Sequence, residues 1–187
     1  MFRVAWNLFG AVFTYTKIGW WGLVLPKVQE HLVVAQAIVR GDDGILLAVR
    51  RDLRGWELAG GKVEQGETPE AAVCREVLEE TGLIVEVERY VGDYVRTGFR
   101  PHTARVYLCR PVGGTLQSNW ETLDLRWYSL DALPDTLFSW FREPLRDAFS
   151  GLTPPPVSKI EHQGIPEILA AVRIDLRMRL SNNRAGT

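Results

Sequence analysis

The stretch from Gly61 to Leu83 constrains this chain more than any other part of the sequence. It reads GKVEQGETPEAAVCREVLEETGL. Five residues separate Gly61 from Glu67, and seven more separate Glu67 from the pair Arg75-Glu76. The whole follows the pattern G-x5-E-x7-R-E-U-x-E-E-x-G-U, where U is a bulky apolar residue, and every fixed position is filled.

The central part of this stretch carries start and stop signals for a helix. Thr68 suits the N-cap, and Pro69 suits the first helical position. Gly82 suits a left-handed C-cap. The sequence therefore predicts a helix over residues 69–81.

Three carboxylates of this predicted helix share one face, because Glu76, Glu79 and Glu80 stand at positions i, i+3 and i+4. The opposite face is expected to bury against a sheet through Ala71, Cys74 and Leu78. Crowded carboxylates raise one another's pKa unless a cation compensates them. A hard divalent ion such as Mg2+, which bridges to substrate phosphates, is the natural compensator.

An acidic helix face that contacts only water is the alternative interpretation for an isolated E-x-x-E-E sequence. The glycines, Glu67 and Arg75 at fixed spacing favour a metal site instead. Arg75 lies one turn before Glu79 and is close enough in sequence to reach back to Glu67, so that it would orient carboxylates around the metal.

The pattern from Gly61 to Leu83 resembles the signature box of the Nudix hydrolase family. The resemblance covers about residues 29–150. It implies an α/β fold in which a mixed β-sheet is sandwiched between α-helices, with the box loop and helix forming the metal site. Nudix proteins often carry Leu-Pro-Gly-Gly before the box, whereas this chain has Leu58-Ala59-Gly60-Gly61. Strands are predicted over residues 31–40, 45–51, 84–96, 102–110 and 126–128, and a second flanking helix over 139–150.

The resemblance also implies roles for individual residues. The metal ligands would be the Gly60 carbonyl, Glu76, Glu79 and Glu80. Glu76 would also accept the proton of the attacking water, and Glu67 and Arg75 would orient the ligands. Glu121, in the loop before the last core strand, is carried over as a further metal-binding or basic glutamate, and a solvated loop acid is the alternative.

The predicted reaction is hydrolysis of a phosphoanhydride in a nucleoside diphosphate linked to another moiety, with Mg2+ as cofactor and Mn2+ as a substitute. Nothing in the sequence selects among ADP-ribose, coenzyme A, dinucleoside polyphosphates and oxidised nucleotides. A Nudix-like sensor that binds a nucleotide without turnover is the alternative function, and a membrane-associated scaffold is a third class.

A loop at the predicted substrate mouth carries further polar candidates. Three arginines would either bind substrate phosphates or be ordinary surface residues, namely Arg96, Arg100 and Arg105. His102 is a weaker candidate for a general base, because a single histidine is more often a surface or packing residue.

The two ends of the chain lie outside the family core. Residues 1–28 place Phe2, Trp6, Phe9 and Phe13 at helical spacing. A helix packed on the domain or on a second subunit is favoured, and an interfacial membrane helix with Trp20-Trp21 at the headgroups is the alternative. No secretory signal or membrane span is expected, because polar residues interrupt the apolar run.

Residues 151–187 read as a proline-rich linker followed by an amphipathic helix. The predicted apolar stripe of this helix is Ile168, Leu169, Val172, Leu176 and Leu180. Two added amphipathic ends favour a homodimer in which one end covers the other, and cover within one subunit is the alternative.

Composition limits the partners and the compartment. The formal net charge is −1, so no general attraction to nucleic acid is expected. The two cysteines, Cys74 and Cys109, indicate buried thiols rather than a disulfide framework, which favours a reducing, cytoplasmic location.

Overall fold

The computed structural model describes residue 12 and residues 14–16, 32–98, 101–151 and 155–181. Eight strands form one sheet: β1 Val33–Gly41, β2 Gly44–Arg50, β3 Trp56–Glu57, β4 Ala59–Lys62, β5 Leu83–Gly98, β6 His102–Gly114, β7 Thr122–Tyr128 and β8 Val157–Gln163. Within the described residues from 32 to 181, three helices accompany it: α1 Pro69–Thr81, α2 Arg142–Ala148 and α3 Ile165–Ser181. Short 3-10 turns occupy Leu130–Ala132 and Ser139–Phe141.

The sheet is mixed, with hydrogen-bonded neighbours in the order β3-β2-β1-β6-β5-β8. The pairs β1–β6 and β5–β8 are parallel, and the other pairs are antiparallel. Strand β4 lies beside the first half of β1, and β7 pairs with β2. This arrangement brings the box glycines of β4 next to the centre of the sheet.

Apolar side chains form one cluster on each face of the sheet. Val73 and Val77 of α1 pack over Ala35 and Ala37 of β1 in one cluster. The other cluster contains Leu145 of α2 and Ala171 of α3, together with Ile38 and Val106 of the sheet. Helices therefore cover both faces, and the predicted mixed sheet between helices is confirmed.

The ends of α1 lie where the sequence predicts them. The Thr68 hydroxyl accepts a hydrogen bond from the Ala71 amide at 3.2 Å. Gly82 adopts a left-handed conformation, and its amide donates to the Leu78 carbonyl at 2.9 Å. Both contacts satisfy backbone groups that a helix end leaves unpaired.

The buried face of α1 differs from the prediction. Leu78 is 48% exposed and Ala71 is also exposed, whereas Ala72, Val73, Val77, Glu80 and Thr81 are buried. Val73 and Val77 pack against the sheet, and Glu80 of the acidic face is buried next to them. The buried side of α1 therefore adjoins the acidic face and does not lie opposite to it. The reason is that Glu80 points into the crevice between α1 and the box loop, where it has a backbone partner.

Beyond residue 150 the structure contains a strand that the sequence did not reveal. β8 runs parallel to β5, from the pair Gly92–Val157 to the pair Gly98–Gln163. The predicted C-terminal helix is present as α3, but its buried residues are Ala171, Asp175 and Arg179. Leu169 and Leu180 of the predicted stripe are exposed, because a buried ion pair takes the place of apolar side chains on the inner face.

Only four residues of the N-terminal extension are described. Thr14 to Thr16 are helical, and the Tyr15 hydroxyl donates to the Asp175 carboxylate of α3 in the same chain at 2.5 Å. The predicted stripe Phe2, Trp6, Phe9 and Phe13, and the pair Trp20-Trp21, lie outside the described residues. Across the part of the chain that the structure describes, no helix is long and apolar enough to cross a membrane. The homodimer stays a prediction.

Candidate active site

The box loop needs glycine because its backbone passes very close to two other groups. Gly60 has φ +148, and a Cβ there would overlap the Ala35 carbonyl of the neighbouring strand. A Cβ at Gly61 would overlap the Glu76 carboxylate. The glycine pair thus lets β4 lie directly against both β1 and the acidic face of α1.

Glu80 is the most deeply placed of the box carboxylates, with a relative exposure of 8%. Its Oε2 accepts a hydrogen bond from the Gly60 amide at 3.0 Å, which ties α1 to the box loop. Burial, together with the negative charges of Glu76 and Glu121, raises the pKa of Glu80 to about 7, against the opposing effects of the Gly60 amide and Arg50. Negative charge therefore accumulates at this point of the molecule.

Arg75 connects the carboxylates on the solvent side of the loop. Its guanidinium donates to both oxygens of Glu67 at 3.0 Å. The same group donates to Glu76 at 2.8 Å and lies 3.4 Å from Glu79. The hydrogen bond from Arg75 lowers the pKa of Glu67. The structure thus brings Arg75 and Glu67 together, as their spacing predicted.

Glu121 lies in a loop that is fastened to the end of α1. The Asn119 side chain donates to the Glu79 carbonyl at 2.7 Å. Its Oδ1 accepts from the backbone amides of Glu121 and Thr122, both at 2.8 Å. These bonds hold Glu121 close enough to raise the pKa of Glu80. Sequence reasoning missed Asn119, although an asparagine shortly before a loop acid is a typical turn-forming residue.

A cavity of about 490 Å3 opens beside the box loop. Its lining includes Gly60, Gly61, Gln36 and Glu57. Aromatic and apolar side chains from the turn before α2 and from α3 also line it, namely Phe138, Trp140, Phe141, Ile168, Ala171 and Val172. Glu80 and Glu76 lie against Gly60 and Gly61, so the box carboxylates are neighbours of the lining without being part of it. The cavity is large enough for a small molecule.

The NUDIX domain model matches residues 30–149. The chain belongs to the Nudix family. A MutT-like protein from Streptomyces ambofaciens is 40% identical over 125 residues, which covers 66% of this chain and 80% of that protein. An ADP-ribose pyrophosphatase from Methanocaldococcus jannaschii is 34% identical over 141 residues, which covers 72% of this chain and 83% of the relative.

Solved structures agree with the Nudix fold. A NUDIX hydrolase from Nitrosomonas europaea superposes with a TM-score of 0.65 at 21% identity, covering 73% of this chain and 81% of the other. An ADP-ribose pyrophosphatase from Streptococcus suis has a TM-score of 0.57 at 27% identity, covering 70% of this chain and 98% of the other. The predicted family, fold and enzyme class, a Nudix-type pyrophosphohydrolase, are confirmed.

Nudix hydrolases use divalent metal cations, and the donor set of this site fits one. Among the residues that the structure describes, no three His, Cys, Asp or Glu side chains are already gathered around a common point for a metal ion. Glu76 instead bonds to Arg75 and Glu80 to the Gly60 amide, while Glu79 is largely exposed. All of these groups offer hard oxygen ligands, and their mutual repulsion favours a cation between them.

The arginines of the predicted substrate mouth have different environments. Arg96 is buried, and its guanidinium lies 3.4 Å from Glu161 and 3.3 Å from His102. The Arg105 guanidinium forms a bidentate ion pair with Asp93, in which Nε and Nη2 each donate to one carboxylate oxygen at 2.8 Å. Arg96 and His102 line the cavity of this Nudix protein. Arg100 lies outside the described residues.

Proposed function

We propose that this Nudix hydrolase uses Mg2+, with Mn2+ as a substitute, to hydrolyse the phosphoanhydride of a nucleoside diphosphate linked to another moiety. The names of the two ADP-ribose pyrophosphatases similar to this chain support a substrate of that class. A diphosphate carries several negative charges, so it needs a cation to enter a site lined by carboxylates.

One observation carries the proposal: the Glu80–Gly60 hydrogen bond ties the carboxylates of α1 to a glycine pair that lines the 490 Å3 cavity. A diphosphate placed between them would have its charged part at the carboxylates and its uncharged part in the cavity. Small-molecule sites in enzymes commonly have this form, with a mostly apolar space and a few polar groups that converge at one end.

The chain's own residues would divide the work in the following way. Glu76, Glu79, Glu80 and the Gly60 carbonyl are the proposed metal ligands. Arg75 and Glu67 hold Glu76 in orientation, and Glu121 adds negative charge from the opposite loop. Glu76 is the proposed acceptor of the proton from the attacking water. When bound, Mg2+ supplies charge neutralisation on the diphosphate and lowers the pKa of that water.

The test is a panel of nucleoside diphosphate derivatives incubated with Mg2+, followed by identification of the products. Turnover should vanish in excess EDTA and return with Mg2+ or Mn2+. Hydrolysis in water labelled with oxygen-18 shows which phosphorus is attacked. Unchanged turnover in excess chelator would contradict the metal mechanism, and an absence of turnover on the whole panel would contradict the substrate class.

The assembly and location also remain proposals. We propose a cytoplasmic homodimer that contacts no nucleic acid, with peripheral membrane contact through the N-terminus as the alternative. Light scattering of the full chain tests the dimer, and flotation of the full chain with lipid vesicles tests membrane contact. The contact between Tyr15 and Asp175 within one chain supports cover of the C-terminal helix by the N-terminal segment of the same subunit.

A further inference from the structure

The segment after residue 154 lies outside the NUDIX match, yet it is built into the sheet. A Cβ at Gly92 would overlap the Val157 carbonyl, and a Cβ at Gly98 would overlap the Gln163 carbonyl. The two glycines of β5 therefore allow β8 to approach closely along its whole length. The segment has a defined position next to the cavity.

Helix α3 is also fixed, by a buried ion pair. Arg179 donates to the Asp175 carboxylate at 2.7 Å, and both side chains are buried. Asp175 accepts from the Arg54 amide at 2.6 Å, while Arg179 donates to the Asp52 carbonyl at 2.9 Å. Arg50 holds the Asp52 carboxylate with two hydrogen bonds of 3.0 Å. α3 is thereby tied to the loop between β2 and β3, whose residues line the cavity.

Helix α3 contributes to the lining of the cavity. Ile168, Ala171 and Val172 face the space from one side. Phe138 and Trp140, whose rings stack with centroids 4.7 Å apart, contribute to the lining from the turn before α2. An aromatic and aliphatic lining suits a nucleobase, which is apolar on its faces and polar at its edges.

A polar group on the sheet supplies a second observation. Gln36 is only 6% exposed, and its Oε1 has no hydrogen-bond partner among the residues that the structure describes. Its neighbours Ala35 and Ala37 pack under α1, so Gln36 points to the opposite face, where it lines the cavity. A buried acceptor without a donor is unfavourable, and a ligand N–H would satisfy it.

We propose that β8 and α3 complete a subsite for the nucleoside moiety of the substrate, in which the base packs against Val172 and donates a hydrogen bond to Gln36. The proposal rests on the proposed function for the class of substrate. It adds that the part of the chain beyond the NUDIX match determines which nucleotide binds. Gln36 and Val172 act on recognition and not on the hydrolytic step.

The first experiment fills the subsite with the variant Val172→Trp. The probes are the α,β-methylene diphosphates of adenosine, guanosine, cytidine and uridine, whose binding is measured by calorimetry with Mg2+ present. We expect the full-length wild type to bind at least one probe, and the variant to bind it roughly tenfold more weakly or worse. Leu169→Trp is the matched control, because Leu169 lies on the same helix but is 49% exposed and lines no part of the cavity.

The second experiment removes the acceptor with Gln36→Met, which keeps the length of the side chain. For a hydrolysed substrate, KM should rise while kcat changes little. The differences in binding among the four bases should become smaller, because the acceptor that distinguishes them is gone. Thermal unfolding of each variant shows that the fold is intact. A role of Gln36 in packing alone would change stability without changing the preference among bases.

The outcomes separate this proposal from the proposed function. Binding of a probe that Val172→Trp weakens and Leu169→Trp does not weaken supports the subsite, even if no derivative is hydrolysed. Equal binding by Val172→Trp and the wild type overturns it, as does a wild type that binds none of the four probes. An unchanged base preference in Gln36→Met overturns the role of that residue.

Discussion

The box region, residues 59–82, and the C-terminal segment, residues 155–181, border the same cavity but are held in place in different ways. In the box, the pair Arg75–Glu67 spans 8 positions and the pair Gly60–Glu80 spans 20. In the C-terminal segment, Asp175 bonds to Arg54 across 121 positions, and Arg179 bonds to Asp52 across 127. The box is thus organised by local contacts and the C-terminal segment by distant ones.

This difference indicates a division between chemistry and recognition. The carboxylates and the loop that would carry the reaction keep their geometry through contacts within one short stretch. The wall of the cavity depends on a helix that docks from the other end of the chain. Changes in the box should therefore act on the rate of the chemical step, and changes in the C-terminal segment should act on stability and substrate binding.

The largest expected effect tests which face of α1 meets the sheet. Val77→Asp should destabilise the protein by more than about 4 kcal/mol, because it buries a charge without a partner at a position with no solvent exposure. Leu78→Asp, the adjacent position at 48% exposure, should change the free energy of unfolding by less than about 0.5 kcal/mol. Urea unfolding followed by circular dichroism measures both. Similar losses of unfolding free energy in the two variants would support the sequence-based prediction that Leu78 faces the sheet.

The next effect concerns the docking of α3. Asp175→Ala should lower the free energy of unfolding by about 3–5 kcal/mol, because Arg179 is left as a buried charge without its carboxylate. The folded fraction should keep its kcat and show a raised KM, because α3 lines the cavity but carries none of the proposed metal ligands. Arg177→Ala, at an exposed position of the same helix, is the control. A kcat that falls as steeply as in a box variant would contradict the division.

Glu80→Gln should act on turnover instead, with a loss of about a hundredfold or more in kcat/KM as one proposed metal ligand disappears. Glu86→Gln, an exposed acid on β5, should leave turnover unchanged. Because burial raises the pKa of Glu80 from 4.5 to about 7, its ionisation lowers the stability of the metal-free wild type as pH rises across that interval. The variant should lack this decline, and unfolding curves at pH 4.5 and pH 8 check the sign.

The smallest effect tests the close approach within the box. Gly61→Ala adds a methyl group where the Glu76 carboxylate lies, so it should displace that group and reduce kcat roughly tenfold. Gly113→Ala is the matched control, since a Cβ there would make only ordinary contacts with Ile84, 3.8 Å away. Assays at saturating substrate compare the two variants. Equal activity would mean that the Glu76 position tolerates the shift.

Some features of the site were not predictable from sequence, because the interacting residues are far apart in the chain or belong to no recognisable motif. Asn119 is typical of a turn, but the sequence does not show that its side chain reaches the Glu79 carbonyl 40 positions away. Gln36 stands among the apolar residues 33–39 of β1, where a single polar residue gives no indication of its environment. β8 follows a proline-rich stretch, and its strand character depends on the close approach that the glycines of β5 allow.

The ends of α1, the contact of Arg75 with Glu67 and the acidic face follow from the sequence alone, because capping and the 3.6-residue period of a helix set them. The packing of the whole chain sets three further features: Val77 is buried in place of Leu78, Asp175 and Arg179 replace an apolar stripe, and α3 lines the cavity. Periodicity shows which residues share a face of a helix. It does not show what that face meets, because burial depends on the partner surface that the rest of the chain supplies.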